Sequence, residues 1–218
     1  MNQLDINIAG EKLLLSEHKI IYWPYQQTAF IADLHLGKTT HFRKSGIAVP
    51  VAIINAEIDR LNVIISKFRP KRIFFLGDLF HSDLNHEWDI FNDFLEQHSS
   101  LEFILIKGNH DILNDTVYNL SRLKIEKEPF HLTPFVLSHH PLKKEELVPE
   151  KVNLCGHIHP GIGIKGKGRS HLTLPCFYLE DNKMILPAFG RFTGLAKINP
   201  NKGSHTFAVL NNTIMKIK

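Results

Sequence analysis

The sequence has few cysteines, no long apolar run and only a small excess of charge. Its two cysteines, Cys155 and Cys176, are too few for a disulfide framework. No run of about 18 consecutive apolar residues occurs, so we expect no transmembrane helix and no membrane partner. The opening stretch "MNQLDINIAGEK" has two acidic side chains and no basic region of the secretory type. These absences favour a cytoplasmic protein.

Composition and charge leave the function open. Hydrophobic residues make up 43% of the chain and charged residues 22%, which is ordinary for a soluble globular protein. The formal net charge of +4 is compatible with a phosphate-bearing partner, but many proteins without such a partner have a similar charge. From the length we expect residues 1–218 to form one domain.

The order of secondary-structure patterns predicts an α/β sandwich. Apolar side chains recur at helical spacing from Ile54 to Phe68, and Arg69-Pro70 ends that helix. "RIFFLGD" and "LEFILIKGNHD" are typical of buried strands, and "HEWDIFNDFLEQH" lies between them as an amphipathic helix. The second half of the chain is mostly strands. We therefore expect packed β-sheets with helices on their outer faces.

Polar side chains gather where five of the apolar runs end. These positions are Asp33 and His35, Asp78, Asn109 to Asp111, His139 and His140, and His157 and His159. A lone aspartate after a strand is usually a turn residue, and a single histidine is usually a solvated polar tip. Polar side chains at the ends of five apolar runs instead favour a ligand-binding site, since ligands bind beyond the carboxyl ends of strands in α/β sheets.

The residue types at these strand ends suit divalent metal ions. Side chains two apart on an extended segment point the same way, so Asp33 with His35, and His157 with His159, can each reach one pocket. Mixed carboxylate, imidazole and amide donors favour Mn²⁺, Fe²⁺ or Zn²⁺, and the lack of cysteine argues against a soft metal. The number of donors suits two ions about 3.5 to 4 Å apart.

Taken in order, the five blocks resemble the calcineurin-like metallophosphoesterases. The blocks are "DLH" (33–35), "GD" (77–78), "GNHD" (108–111), "SHHP" (138–141) and "GHIH" (156–159). They match the family pattern without substitution. The resemblance implies a fold of two packed mixed β-sheets flanked by helices.

The resemblance also implies a ligand set for two ions. Asp33, His35, Asp78 and His159 would hold one ion. Asp78, Asn109, His139 and His157 would hold the other, with Asp78 bridging. Of the two neighbours at 139 and 140, the family pattern favours His139 as the ligand, and His140 would face substrate or pack.

The family chemistry is hydrolysis by a hydroxide shared between the ions, which attacks phosphorus in line. By resemblance, His110 would protonate the leaving oxygen or steady charge on the phosphoryl group, and Asp111 would fix the ring of His110. His81 is a further candidate, next to the metal ligands or facing substrate. A surface histidine is an equally good interpretation of His81.

Two segments outside the blocks are similar to one branch, the ligase-associated DNA damage response endonucleases. They are residues 22–50 and 185–195, with Leu195 at a position where the branch usually has glycine. This resemblance implies a manganese-dependent phosphodiesterase that acts on DNA in repair. It also implies a functional link to a DNA ligase and a helicase.

Several basic side chains are candidate contacts to a phosphate backbone. Arg191 is one, since arginine suits phosphate oxygens geometrically. The others are His41, Arg43 and Lys44 in the loop at 37–50, and Lys165, Lys167 and Arg169 in "KGKGR". Both segments can equally be solvated loops.

Two other functions remain open from the sequence. The same metal centre could hydrolyse a small nucleotide phosphodiester or pyrophosphate. A scaffold subunit with a degraded metal site is the third interpretation, and the intact "GNHD" and "GHIH" blocks argue against it.

Overall fold

The computed structural model describes residues 2–38, 52–81, 84–165, 171–191 and 193–217. Two β-sheets run through these segments. The sheets pack against each other through their inner faces, and helices cover the outer face of the first sheet. This is the two-layered sandwich with flanking helices that the sequence predicts.

The first sheet has seven strands that lie in chain order. They are β1 (Gln3–Ile8), β2 (Glu11–Ser16), β3 (Ile21–Trp23), β4 (Thr28–Ile31), β5 (Arg72–Leu76), β6 (Glu102–Ile106) and β7 (Leu123–Glu126). Strands β1 to β4 pair antiparallel, whereas β4 to β7 pair parallel. The carboxyl ends of β4, β5 and β6 therefore meet at one edge.

The second sheet contains the remaining nine strands. They are β8 (Phe130–Leu132), β9 (Phe135–Leu137), β10 (Val152–Cys155), β11 (Pro160–Lys165), β12 (His171–Glu180), β13 (Lys183–Ile185), β14 (Ala196–Lys197), β15 (His205–Leu210) and β16 (Thr213–Lys216). Strand β10 pairs parallel with both β9 and β13. The carboxyl ends of β9 and β10 thus lie side by side.

Helices α1 (Ala52–Phe68), α2 (His86–Gln97) and α3 (Asp115–Asn119) follow β4, β5 and β6 along the chain. A short 3-10 helix lies at Lys144–Glu146. Helix α1 ends at Phe68, one residue before the predicted Arg69-Pro70 stop. Helix α2 begins after Asn85, whose side chain accepts a hydrogen bond from the backbone N–H of Glu87.

Successive side chains of β5 enter two different cores, as the twofold alternation of a strand requires. Ile73 and Phe75 pack with the apolar faces of α1 and α2. Phe74 and Leu76 point the other way, into the core between the two sheets. This burial on both faces explains why β5 is a continuous apolar run in the sequence.

Some elements differ from the expectation. Strands β7, β8, β11 and β14 have no clear signal in the sequence, since each is short, polar or rich in glycine. Strand β4 ends at Ile31, so Asp33 and His35 lie past the strand. The predicted loop beyond residue 38 and most of "KGKG" lie outside the described residues. Among the described residues, no helix is long and apolar enough to cross a membrane.

Candidate metal centre

The predicted ligands from both sheets meet at one edge of the sandwich. Loops after β4, β5 and β6 carry the residues of the first sheet, and loops after β9 and β10 carry those of the second. The imidazole of His139 joins the two sheets directly, since its Nδ1 lies 3.1 Å from the carbonyl oxygen of Leu76 at the end of β5. The architecture thus brings all seven predicted metal ligands into one region.

A first group consists of Asp33, His35 and His159. The Nε2 atoms of His35 and His159 lie 3.3 Å apart, and His159 Nε2 lies 3.5 Å from Asp33 Oδ1. Ligand atoms of all three residues fall within 4.8 Å of one another. Asp33 is fully buried and His35 is 7% exposed, so water does not solvate these groups freely.

A second group consists of Asp78, Asn109, His139 and His157. His139 Nε2 lies 3.0 Å from Asn109 Oδ1, 3.1 Å from His157 Nδ1 and 3.4 Å from Asp78 Oδ1. His139 is fully buried, whereas Asn109 is exposed and His157 is half-buried. The group is therefore open to solvent on the side of Asn109.

The hydrogen bond to Leu76 sets the tautomer of His139. A carbonyl oxygen only accepts, so His139 Nδ1 carries the proton and donates it to Leu76. In the neutral ring the lone pair is then on Nε2, which faces the oxygens of Asn109 and Asp78. Atoms with lone pairs facing one another at 3.0 to 3.4 Å repel unless a cation lies among them.

Asp78 lies between the two groups. Its Oδ2 is 3.8 Å from His35 Nε2 in the first group, and its Oδ1 is 3.4 Å from His139 Nε2 in the second. The backbone N–H of His110 donates to Asp78 Oδ1 at 2.9 Å. The backbone N–H of His157 likewise donates to Asp33 Oδ2, at 2.9 Å. Backbone donors from neighbouring motif blocks therefore orient both buried carboxylates.

This donor set fits divalent cations. Carboxylate oxygens, imidazole nitrogens and one amide oxygen converge here, and such donors bind borderline and hard divalent ions. Asp33, Asp78 and His139 form a further group within ligand distance, which connects the first group to the second. Without cations, two buried carboxylates this close to several nitrogen lone pairs would be strongly unfavourable.

Five of the seven predicted ligands have a left-handed backbone. Their φ angles are positive at Asp33 (54°), His35 (51°), Asp78 (49°), His157 (69°) and His159 (52°). This region is unfavourable for residues with a side chain, and such strain is common at functional sites. Each strand breaks at its end, and the side chain of the following residue is directed into the shared crevice.

The glycines of two motif blocks leave room for ligands. A β-carbon at Gly77 would lie 2.6 Å from Cβ of His139 and still closer to its ring. A β-carbon at Gly108 would lie 2.5 Å from the backbone nitrogen of Asp78. Neither approach is sterically possible, so the "GD" and "GNHD" blocks need glycine for packing against the predicted ligands His139 and Asp78.

His110 lies at the rim of this centre, but Asp111 does not hold its ring. The His110 ring is half-buried, 4.1 Å from that of His81 and 5.7 Å from that of His35, centroid to centroid. The Asp111 carboxylate instead accepts backbone N–H groups of Leu79, Phe80 and Gly108 at 2.8 to 3.1 Å. The expectation for Asp111 is thus corrected: it braces the "GD" and "GNHD" loops.

Glu128, just before β8, is a site residue that the sequence analysis missed. Its Oε2 accepts the backbone N–H groups of His139 (2.6 Å) and His140 (3.0 Å), and its Oε1 lies 2.7 Å from His140 Nδ1. The His140 ring is 4.4 Å from that of His157, and the side chain is half-exposed. No motif block contains Glu128. Its only sequence signal is its position just before β8, and that short strand was itself not predicted.

Burial shapes the protonation of the centre. Burial first, and then the charges of His159, Lys38 and other neighbours, lower the pKa of His35 to about 2, which keeps the ring neutral and able to bind metal. Burial raises the pKa of Asp111 to about 6, against the opposing effect of its backbone hydrogen bonds. Burial raises the pKa of Glu128, but the hydrogen bonds from His140 and His139 outweigh it and lower that pKa.

Of the side chains predicted to contact phosphate, only that of Arg191 lies in the part of the chain that the structure describes. Arg191 is described; its side chain is 53% exposed, and its backbone N–H donates to Glu57 Oε1 at 3.0 Å. His41, Arg43, Lys44, Lys167 and Arg169 lie outside the described residues, and the Lys165 side chain is likewise not described.

Comparison with known proteins found similar chains among solved structures. A search of curated proteins found no match. The solved nuclease MPE of Pseudomonas putida is 27% identical, with a TM-score of 0.81 over 99% of this chain and 100% of that one. The phosphoesterase Yfce from E. coli is 14% identical, with a TM-score of 0.44 over 88% of this chain and 96% of that one.

The family comparison covers every motif block. The calcineurin-like phosphoesterase model matches residues 27–159, which is well over half of the chain and includes all seven predicted metal ligands. The chain therefore belongs to the calcineurin-like phosphoesterases and is a metal-dependent phosphoesterase.

Proposed function

We propose that this protein is a dinuclear-metal phosphodiesterase that acts on DNA as an endonuclease. The observation that carries the proposal is the position of Asp78, whose two carboxylate oxygens face different groups of ligands. A single ion would not need a carboxylate shared between two sets of imidazoles.

Two sets of residues would hold the ions. Asp33, His35, Asp78 and His159 would hold the first, and Asp78, Asn109, His139 and His157 the second. When bound, the ions would supply the positive charge that lowers the pKa of an attacking water and neutralises phosphoryl oxygens. Mn²⁺ suits the mixture of carboxylate, amide and imidazole donors, and Fe²⁺ or Zn²⁺ are alternatives.

His139, rather than His140, is the proposed ligand. His139 is fully buried, and its Nε2 is directed at Asn109 and Asp78. His140 is half-exposed and hydrogen-bonds Glu128, so its ring is available to face a substrate. Glu128 would then hold the backbone of both histidines in place, because its carboxylate accepts their N–H groups.

His110 is the proposed general acid. Its backbone N–H orients Asp78, and its half-buried ring lies beside that of His35 at the rim, where a leaving oxygen could receive a proton. The ring of His81 packs against it at 4.1 Å and would set its orientation, a role that the sequence analysis gave to Asp111.

The nucleic-acid substrate is supported by similarity, and the net charge of the chain is compatible with it. The P. putida nuclease is similar over the whole of both chains, and the net charge of this chain is +4. A role in DNA repair, with a link to a ligase and a helicase, follows from the resemblance of residues 22–50 and 185–195 alone. The two cysteines are free and buried, which favours the cytoplasm.

One assay tests this proposal. Metal-depleted protein is reloaded with Mn²⁺ and given a bis-aryl phosphate, a mono-aryl phosphate, a cyclic nucleotide, and single-stranded and duplex oligonucleotides. We expect hydrolysis of the bis-aryl phosphate and the oligonucleotides, with oligonucleotide cleavage falling steeply as salt is added. Fast, salt-insensitive turnover of the cyclic nucleotide without oligonucleotide cleavage would instead identify a small-molecule hydrolase.

A further inference from the structure

A cavity of 430 Å³ opens beside the metal centre and is not part of it. The turn between β2 and β3, helix α1, the segment at Arg191 and the turn between β15 and β16 surround it. Because β3 runs antiparallel to β4, the β2–β3 turn lies at the same end of the sheet as the loop of Asp33. We call this cavity the basic pocket; its cationic lining residues are Lys19, Arg60 and Arg191.

One short segment, residues 188–191, contacts both the metal centre and the basic pocket. Its N–H groups at Phe189 and Gly190 donate to the carbonyl oxygens of Ala32 and Asp33, at 2.9 and 3.1 Å. Its carbonyl oxygens at Ala188 and Phe189 point to the other side and accept from pocket cations. The pocket is therefore fixed relative to the backbone that carries Asp33.

The cations of the pocket are held by backbone carbonyls. Lys19 Nζ donates to the carbonyl oxygen of Ala188 at 2.9 Å. Arg60 Nη1 donates to the carbonyl oxygen of Phe189 at 2.9 Å, and its guanidinium lies 3.8 Å from the Phe189 ring centroid. Arg191 is half-exposed above them. These carbonyl oxygens position Lys19 and Arg60 but carry no formal charge that would neutralise them.

The carboxylates near the pocket are already engaged. Glu57 accepts from Arg60 at 2.6 Å and from the backbone N–H of Arg191 at 3.0 Å, and its Oε1 lies 3.9 Å from Arg191 Nε. Glu17 accepts from Lys67 at 2.8 Å and from the Ser16 hydroxyl at 2.6 Å. Within the part of the chain that the structure describes, no carboxylate forms an ion pair with Lys19. An excess of positive charge remains in a concave site.

The opposite side of the pocket is apolar. Leu174, Pro175 and Val209 contribute to its lining, and Asn211 and Asn212 lie in the adjacent turn. A volume of 430 Å³ is within the range of small-ligand pockets. A bare ion needs neither this volume nor an apolar wall, whereas a nucleotide has an anionic phosphate together with the less polar faces of its sugar and base.

We propose that the basic pocket binds one nucleotide of a polynucleotide substrate, flanking the phosphodiester that is cleaved at the metal centre. Its phosphate contacts Lys19 and Arg191, and its sugar and base lie against Leu174 and Val209. Arg60 shapes the cationic side from below. This inference rests on the proposed nuclease function, and it gives that function a second contact to the substrate strand beyond the metal ions.

The test removes the charges of Lys19 and Arg191. We compare Lys19→Gln, Arg191→Gln and the double variant with Lys12→Gln, a charge-matched control at an exposed lysine near the opposite end of β2. With oligonucleotide substrates, the double variant should raise KM about tenfold or more and change kcat less than about twofold. The slope of log affinity against log salt should fall by about one for each lost contact. Lys19→Arg should restore most of the affinity.

A second variant guards against loss of folding. Asn212→Asp adds a negative charge at the rim, at a residue whose φ of 61° aspartate tolerates. It should also raise KM for oligonucleotides, while its melting temperature stays within about 2 °C of the wild type.

The outcomes separate the two proposals. Oligonucleotide cleavage in which the pocket variants match Lys12→Gln in KM and salt slope would overturn the basic-pocket assignment alone. Hydrolysis of the bis-aryl phosphate without any oligonucleotide cleavage would overturn the nuclease proposal and this one together. If the variants lose only inhibition by inorganic phosphate, the pocket binds free phosphate and the nucleotide assignment is wrong.

Discussion

The two ends of the first sheet use the same unusual backbone for different purposes. At the end away from the metal centre, Ala9, Gln27 and Arg69 have positive φ angles, and their side chains are exposed or half-buried. At the other end, Asp33, His35 and Asp78 have positive φ angles, and their side chains are at most 7% exposed.

The difference shows which combination of features marks the site. A left-handed residue with an exposed side chain only turns the chain. A residue with a positive φ angle and a buried, ionisable side chain has two unfavourable free-energy contributions. One is the strain of its backbone, and the other is the desolvation of its side chain. At the carboxyl edge, bound cations would offset the desolvation cost of these side chains.

The largest expected effect comes from Asp78→Asn. Losing the shared carboxylate removes one negative charge from between the two ligand groups, so we expect kcat to fall by about 10³ or more. Asp181→Asn is the matched control at an exposed turn residue with φ of 49°, and it should retain full activity. For both variants we measure the rate of bis-aryl phosphate hydrolysis and the number of Mn²⁺ ions bound per chain. Equal rates for the two variants would remove Asp78 from the mechanism.

His110→Ala separates chemistry from metal binding. We expect kcat to fall about a hundredfold, the range for loss of a general acid, with metal content unchanged. His131→Ala, at an exposed position on β8, is the control. A leaving group that needs no proton, such as p-nitrophenolate, should reduce the deficit. A deficit that does not depend on the leaving group would contradict the general-acid role.

Alanine substitutions at two glycines, one at each end of the first sheet, separate backbone strain from displacement of a predicted ligand. Gly77 and Gly10 have similar φ angles, 75° and 78°, but a β-carbon at Gly10 meets nothing within 4 Å. Both alanine variants therefore carry the same backbone strain, and only Gly77→Ala should displace His139. We expect Mn²⁺ affinity to fall about thirtyfold for Gly77→Ala and to be unchanged for Gly10→Ala. Isothermal titration of metal-depleted protein measures both values.

Glu128→Gln tests the missed residue. The amide keeps the shape of the side chain but weakens the charge-assisted bonds to the N–H groups of His139 and His140. We expect activity to fall about tenfold at limiting Mn²⁺ and to recover in part at saturating metal. Glu145→Gln, on the exposed 3-10 helix, should have no effect. Loss of activity that excess metal does not relieve would argue against a positioning role.

The smallest expected effect is on the pH dependence of substrate affinity. Burial first, and then repulsion from Arg60 and Arg191, lower the pKa of Lys19 to about 8, against the opposing attraction of Glu57. Only the protonated amine attracts phosphate, so KM for oligonucleotides should be nearly constant below about pH 7 and rise about fivefold by pH 9. Lys19→Arg should abolish this rise. An identical rise in that variant would assign it to another group, such as a metal ligand.

The sequence was sufficient to predict much of the architecture, because burial leaves a clear pattern. The apolar run of β5 and the helical spacing from Ile54 to Phe68 both match observed elements. Strand β7, with only "LKIE", is too short for such a pattern, and its pairing with β6 decides its conformation. The prediction of one domain for residues 1–218 stays a prediction.

The candidate site was predictable as a set of residues but not as a set of contacts. The motif blocks name the side chains that converge, because divalent ions need particular donor atoms in one place. The side chains that hold each motif residue in place depend on tertiary packing. Asp111 accepts hydrogen bonds from backbone N–H groups, and the ring of His81 lies against that of His110. Glu128 and the basic pocket depend on contacts between residues far apart in the chain, for which local pattern carries no signal.

The central claim is that the carboxyl edge holds two metal ions with Asp78 between them. Anomalous diffraction from crystals grown with Mn²⁺ tests it most directly. We expect two peaks about 3.5 to 4 Å apart, one beside His35 and His159 and the other beside His139 and His157. A single peak, or an edge without any peak at saturating Mn²⁺, would contradict it.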